Sequence, residues 1–302
     1  MQLIIIPGSC SAKSNWFDQI HFFESAGYQV KFLDLDAHKH GTLMECSTDL
    51  FVKLKYALQS VELGAETVIL AHSMGAMLLL KILSESQYYR NESPETFAKI
   101  EQAKLVFIQV PLNVNRSLLS ILNVVQYILY PFFLIYHLSV FKLMEWILLT
   151  AKKFLRFIIK PLKNNFLHYL AQPVFNLFDL FLNIMLMMNA FLGSKPQEFA
   201  NLINYYRQWD EFSLEGFFAN KQEAMFSRAI MQQAENTLNC FDANAAKNYH
   251  FTTGSPDFFC DSILIKQFAS DIGANVFHLG PGFHNPQHIF WTQEKLHKEI
   301  MR

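Results

Sequence analysis

A chain of 302 residues with 25 basic and 26 acidic side chains has a formal charge of -1, which excludes a general electrostatic attraction to nucleic acid. Its 30 phenylalanines and 51% hydrophobic content, against 17% charged residues, are a heavy apolar load for a soluble domain. The four cysteines, Cys10, Cys46, Cys240 and Cys260, stand far apart with no C-x-x-C pair and no metal-type spacing, so buried, reduced thiols are expected, with no metal and no cofactor. At the N-terminus the apolar run 3–6 has no basic flank and is cut short by Pro7-Gly8. It reads as a strand rather than a signal peptide, and the chain is expected in the cytoplasm.

Short β-branched and apolar runs at 3–7, 30–36, 67–72, 104–110, 249–253 and 275–279 predict strands, and helical patterns at 15–26, 46–63, 76–85 and 261–272 fall between them. Such alternation predicts a mostly parallel sheet covered by helices on both faces. The strand runs are apolar throughout instead of alternating, as burial on two sides requires. Between 113 and about 220 the alternation stops and long apolar helical stretches take over, so the chain divides into 1–112, an all-helical insertion at 113–220, and 221–302. Pro131, Pro161, Pro173 and Pro196 are expected to divide the insertion into segments.

Within the insertion, residues 117–141 carry no formal charge. Pro131 interrupts them, Ser120, Asn123, Tyr127 and Tyr130 form a polar stripe, and the piece before the proline is shorter than the roughly 20 residues a membrane span needs. Further on, Lys142, Lys152, Lys153, Arg156 and Lys160 share one narrow sector of an otherwise apolar helix, which predicts a surface element attracted to anionic lipid. After Pro173 the stretch 174–192 is apolar except for Asn176, Asp179 and Asn183 on one side, suited to burial in lipid or over a greasy pocket. Two alternatives stay open: an insertion that packs on the sheet domain and never meets a membrane, and one that spans it.

The sharpest motif is Val68-Ile69-Leu70-Ala71-His72-Ser73-Met74-Gly75-Ala76-Met77, an apolar strand that runs through a small-x-Ser-x-small turn into a helix. A nucleophile elbow has this layout, because a serine on so sharp a turn needs small residues two before and two after it. On these residues both flanks of the chain resemble the α/β-hydrolase superfamily, although Ala71 stands where the family more often has glycine. The resemblance implies the chain order serine, acid, histidine. Thr252-Thr253-Gly254-Ser255-Pro256-Asp257 is similar to the family's acid loop, and Gly280-Pro281-Gly282-Phe283-His284-Asn285-Pro286 to its histidine loop.

Ser73 is thus the expected nucleophile, His284 the base and Asp257 the acid that orients it. Asp261 and His288 are the nearest substitutes, His278 is a strand residue, and His72 has no catalytic role. The resemblance also implies oxyanion donors at the backbone N–H groups of Met74 and Ser9. Because Pro7 replaces the family's histidine in Ile6-Pro7-Gly8-Ser9, Cys10 remains open as the second donor; Asn15-Trp16 matches the family's downstream tryptophan. Cys10 as an alternative nucleophile lies on the wrong loop for the triad order.

Many lipases and esterases of the superfamily carry a helical cap after the strand that follows the elbow helix, here 104–110. The expected activity is a serine hydrolase acting on a carboxylic ester or thioester of a lipid-like acyl substrate through an acyl-enzyme on Ser73. Peripheral contact with the membrane's cytoplasmic face through the cap is expected. An acyltransferase on the same triad and a non-catalytic lipid-binding protein are the rival readings.

Overall fold

The computed structural model describes residues 1–9, 11–35, 42–112, 140–162, 166–192, 245–257, 259–282 and 284–302. Six described strands form one sheet: β1 (Gln2–Ile6), β2 (Gln29–Phe32), β3 (Thr67–His72), β4 (Lys104–Ile108), β5 (Tyr249–Ser255) and β6 (Asn275–Pro281). Their order is β2-β1-β3-β4-β5-β6, and each neighbouring pair is parallel. Parallel strands need crossovers, and these are α1 (Phe17–Ser25), α2 (Leu43–Leu58), α3 (Met74–Ser84), α4 (Ser86–Glu92), α5 (Pro94–Gln102), and α8 (Ser262–Ile272), with α9 (Phe290–Met301) closing the chain. Two further helices, α6 (Val140–Ile159) and α7 (Phe166–Leu192), lie in the stretch between β4 and β5.

The apolarity of the central strands β1, β3 and β4 follows from this arrangement, whereas the edge strands β2 and β6 carry Gln29, Lys31 and His278. Successive side chains point to opposite faces, and both faces are covered. Ile4, Ile6, Ile69 and Phe107 face one core with Leu54, Met77 and Phe268, while Leu3, Ile5, Leu70 and Ile108 face a second with Trp16, Phe23 and Leu296. The chain passes from β2 back across β1 to β3, so the order reverses at the β1/β3 gap. Open parallel sheets bind ligands at the carboxyl ends of the strands beside such a reversal.

Local chemistry moves several boundaries from their predicted places. α2 starts at Leu43 rather than 46, because Thr42 and Glu45 each accept the other's backbone N–H at 3.2 Å and so satisfy the first turn. β2 ends at Phe32, short of the predicted 36. α4, α5 and α9 are additional to the predicted helices, since their mixed polar surface hides the buried stripe of Tyr89, Phe97, Ile100, Leu296 and Ile300.

The insertion departs from expectation in two ways. Pro161 sits in the turn Lys160–Leu162 that ends α6, but Pro173 lies inside α7 and does not divide it. A proline there removes a backbone bond at a cost of about 3 kcal/mol, which packing of Leu180, Leu182 and Leu186 offsets. The basic sector is also not turned wholly outward. Lys142, Lys153 and Lys160 are exposed, whereas Lys152 is buried and Arg156 nearly so. The reason is electrostatic: Asp18 and Asp179 face them from α1 and α7. Pro131, Pro196, the stretch 117–139 with its polar stripe, Cys10 and Cys240 lie outside the described residues.

Phe107 is fully buried and stacks on Phe251 with centroids 4.7 Å apart. Phe107→Ala is expected to lower the unfolding free energy by about 3–5 kcal/mol, measured by urea denaturation; a loss below about 1 kcal/mol would contradict a close-packed sheet core.

Candidate active site

Four strand ends supply the site, and the sharpest bend lies between β3 and α3. Ser73 has φ 49° and ψ -116°, a left-handed conformation that side-chain-bearing residues rarely adopt. Its N–H donates to the Ile108 carbonyl at 2.9 Å, and its own carbonyl accepts the Met77 N–H at 3.0 Å. A Cβ on Gly75 would lie 2.4 Å from the Pro7 carbonyl oxygen and 2.6 Å from Ile6 Cγ2, so only glycine lets α3 run this close to β1. Ala71, the preceding small residue, is fully buried in β3.

The bend holds the Ser73 hydroxyl against a histidine from the other side of the sheet. Ser73 Oγ is 2.7 Å from His284 Nε2, and His284 Nδ1 is 3.1 and 3.2 Å from the two oxygens of Asp257. A carboxylate accepts only, so the proton is assigned to Nδ1 and Nε2 is left to accept from the hydroxyl. Asp257 Oδ1 also accepts the N–H groups of Phe259 at 2.8 Å and Cys260 at 3.1 Å, which fixes the carboxylate in its loop. The structure therefore brings together the three residues singled out from the sequence.

The substitutes are engaged elsewhere. Asp261 caps α8, accepting from the N–H groups of Ile263 and Leu264. His288 is buried with its ring 4.8 Å from that of Trp16, and His278 pairs with the Thr253 hydroxyl at 3.2 Å. His72 instead supports the His284 backbone: its Nε2 donates to the His284 carbonyl at 3.0 Å. This role has no sequence signal beyond the residue's place in the elbow. Burial, then the neighbouring His284, pushes the His72 pKa down to about 3, and burial holds His288 well below its ordinary range, so both rings are neutral at pH 7.

Cys260 is an addition to the expected site, although it follows Asp257 by three residues. Its sulfur is 3.6 Å from His284 Nδ1 and donates to the Gln109 carbonyl at 3.1 Å. Burial and the Asp257 charge raise the thiol pKa well above its usual value, which keeps it protonated and unreactive. Asp257, Cys260 and His284 place three potential metal-ligand atoms within 4.8 Å of one another. Within this group the thiol donates to the Gln109 carbonyl and the imidazole faces the carboxylate.

The expected oxyanion donors are two loop N–H groups. Met74 is the first residue of α3, where a helix leaves its N–H groups without internal acceptors. Ser9 follows β1, and its hydroxyl reaches Met74 Sδ at 3.2 Å, so the two loops adjoin. Gly8 makes that approach feasible, since a Cβ there would lie 2.8 Å from His72 Nδ1 and 3.0 Å from Ser73 Cβ. Cys10, the other candidate donor, lies outside the described residues.

No protein-family model matches the chain, and no curated protein matches it. Solved structures do. A carboxylesterase of the thaumarchaeon Nitrososphaera gargenis aligns over 99% of this chain and 88% of its own at 14% identity, with a TM-score of 0.51. MenH from S. aureus aligns over 100% and 95% at 11% identity and a TM-score of 0.49. A peroxisomal α/β-hydrolase of Saccharomyces cerevisiae aligns over 99% and 77% at 11% identity and a TM-score of 0.48. At 14% identity the likeness to the carboxylesterase is one of fold.

The neutral, buried His72 and His288 make stability depend on pH. Below the unfolded value of about 6.5 the unfolded chain binds protons that the native state refuses, so stability rises with pH in that window. Urea denaturation at pH 7, 6 and 5 is expected to show a progressive loss, at most about 1.4 kcal/mol per unit for each histidine, with a shallower slope in His72→Asn. A flat profile would contradict the buried neutral rings.

Proposed function

We propose that this chain, whose fold is that of the α/β-hydrolases, is a serine hydrolase that cleaves a carboxylic ester or thioester of a lipid-like acyl substrate. The observation that carries the reading is the 2.7 Å contact between Ser73 Oγ and His284 Nε2, with Asp257 on the far side of the ring. Ser73 Oγ attacks the acyl carbon while its proton passes to His284 Nε2, and Asp257 stabilises the resulting imidazolium. The carbonyl oxygen becomes an oxyanion, to which the N–H groups of Met74 and Ser9 are assigned as donors. Collapse breaks the bond to the alcohol or thiol, which leaves with the proton from Nε2. Water then attacks the acyl-serine, gives a proton to Nε2, and releases the carboxylic acid as the proton returns to Ser73.

The apolar substrate class rests on the inserted helices. A cleft of about 440 Å³ is lined by Gln172, Pro173, Asn176, Leu177 and Leu180 of α7 and by Pro281 and Ile289, which flank the segment carrying His284. Its apolar walls suit an acyl chain. The outer faces of α6 and α7 suit the surface such a substrate comes from. Trp146, Phe154, Phe157, Tyr169, Leu177 and Phe181 are each more than half exposed there. A group of exposed apolar side chains on two packed helices supports an interaction site there.

The assigned partner is an anionic bilayer, because Lys142 and Lys153 of α6 and Lys160 in the turn that ends it are exposed. The window Tyr169–Leu186 is long and apolar enough to cross a membrane. Asp179 at its centre is fully buried and ion-paired with Arg156, which favours a helix lying on the protein with its other face in the headgroup region. Cys46 and Cys260 are buried thiols, as suits the cytoplasmic side.

A fluorophosphonate probe is expected to label the wild type and not Ser73→Ala, with ester turnover in that variant reduced by about 10^4-fold or more. Equal labelling of the two would remove the nucleophile. Rates should rise with acyl length, and a preference for acetyl over long chains would remove the lipid substrate. The protein should co-sediment with phosphatidylserine-containing vesicles and less with phosphatidylcholine alone; Trp146→Ser with Phe157→Ser should weaken that binding while short-ester turnover persists.

A further inference from the structure

The histidine loop is held from outside the triad at several backbone atoms. The His284 carbonyl accepts from His72, and the Gln287 carbonyl accepts from Gln19 at 3.1 Å. A single turn then links the catalytic residue to the start of α9, since the His288 N–H donates to the Asn285 carbonyl and the Ile289 N–H to that of Pro286. Beyond that turn the grip comes from the inserted helices. Arg156 of α6 and Asn183 of α7 both donate to the His288 carbonyl, at 3.1 and 3.2 Å. Asp179 of α7 accepts the Phe290 N–H at 2.9 Å.

These groups belong to one buried charge cluster. Lys152 pairs with Asp18 at 3.1 Å and with the Asn183 side-chain oxygen, and Arg156 bridges Asp18 at 3.3 Å and Asp179 at 3.2 Å. Lys152, Asp179 and Asn183 are at most 3% exposed. Apart from the Arg156 Nε, which has no partner among the described residues, these buried groups are paired, and rotating one would leave further buried charge or amide unpaired. The cluster thus transmits the placement of α6 and α7 to the segment that carries the base.

We infer that Arg156 and Asn183 are positioning residues for His284: through the His288 carbonyl they set the loop that holds the imidazole between Ser73 and Asp257. The inference rests on His284 being the base of the proposed hydrolase. Its consequence is that the insertion, besides covering the substrate, is part of the catalytic scaffold, and that displacing it relaxes the triad. Small misplacements of a reacting group cost up to about 100-fold in rate, so a loosened loop should be visible in kcat.

The test uses the full chain and a short soluble ester, for which the cap's apolar surface adds little binding. Asn183→Asp keeps the shape and the acceptor for Lys152 but cannot donate to the His288 carbonyl. It is expected to lower kcat about tenfold with KM within twofold of wild type. Leu182→Ala, which opens a cavity against Leu148 and Leu186 without removing a donor, serves as the matched control. It should lower the melting temperature and leave kcat within twofold.

The second readout is the downfield proton resonance of His284 Nδ1–H at low pH, assigned by its loss in His284→Gln. It should persist in Leu182→Ala and broaden through solvent exchange in Asn183→Asp. Wild-type kcat or an unmoved resonance in Asn183→Asp overturns the inference, as does an equal kcat loss in Leu182→Ala. The resonance depends on the His284–Asp257 contact alone. If the wild type fails to turn over esters, the hydrolase reading falls and the resonance by itself decides the positioning role.

Discussion

The bend at Ser73 is the constraint on which the site depends. A serine at φ 49° is strained by about 1–3 kcal/mol, and such strain persists only where the surroundings over-determine it. Here the Ile108 carbonyl takes the Ser73 N–H, Met77 caps its carbonyl, and Gly75 brings α3 against the backbone of Pro7. The neighbouring strand carries a second positive φ, 50° at Gln109, immediately after β4. Gln109 offers its carbonyl to Cys260 in the acid loop. Adjacent parallel strands therefore end in two strained residues, one presenting the Ser73 hydroxyl and the other bracing the loop of Asp257.

A parallel sheet makes this economical, because every strand delivers its following loop to the same edge. Loops after β1, β3, β5 and β6 contribute Ser9, Ser73, Asp257 and His284, which are far apart in the chain. Neutral histidines complete the support. His72 and His288 sit in a dry, aromatic setting around Trp16, where an imidazolium would be heavily penalised and a neutral ring serves as a fixed donor or packing surface.

The two inserted helices reverse the ordinary order of amphipathic packing. Their charged and amide side chains, Lys152, Arg156, Asp179 and Asn183, point inward to one another and to Asp18, while aromatic and aliphatic residues cover the outside. Buried ion pairs add little net stability, because desolvation opposes the attraction. They favour this docking geometry, since shifting a helix would separate Lys152 and Arg156 from Asp18 and Asp179. The polar inner face thus holds on the protein two helices whose outer face is apolar.

The sheet was legible in the sequence because its strands are short, apolar and punctuated, and the elbow because a strained serine needs small neighbours at fixed offsets. The order of serine, acid and histidine was legible through family resemblance, each residue sitting just beyond a readable strand. The inward direction of Lys152 and Arg156 was not, since a basic sector on an apolar helix has the same pattern whether it faces lipid headgroups or buried carboxylates. Nor was the bond from His72 to the His284 carbonyl, nor the place of Cys260 beside the imidazole. The sequence by itself determined which segments form the sheet scaffold and marked Ser73, Asp257 and His284 as candidates, because periodicity and turn chemistry are local. Only the tertiary structure decided which charges meet and which carbonyls they hold, because those partners come from helices and loops distant along the chain.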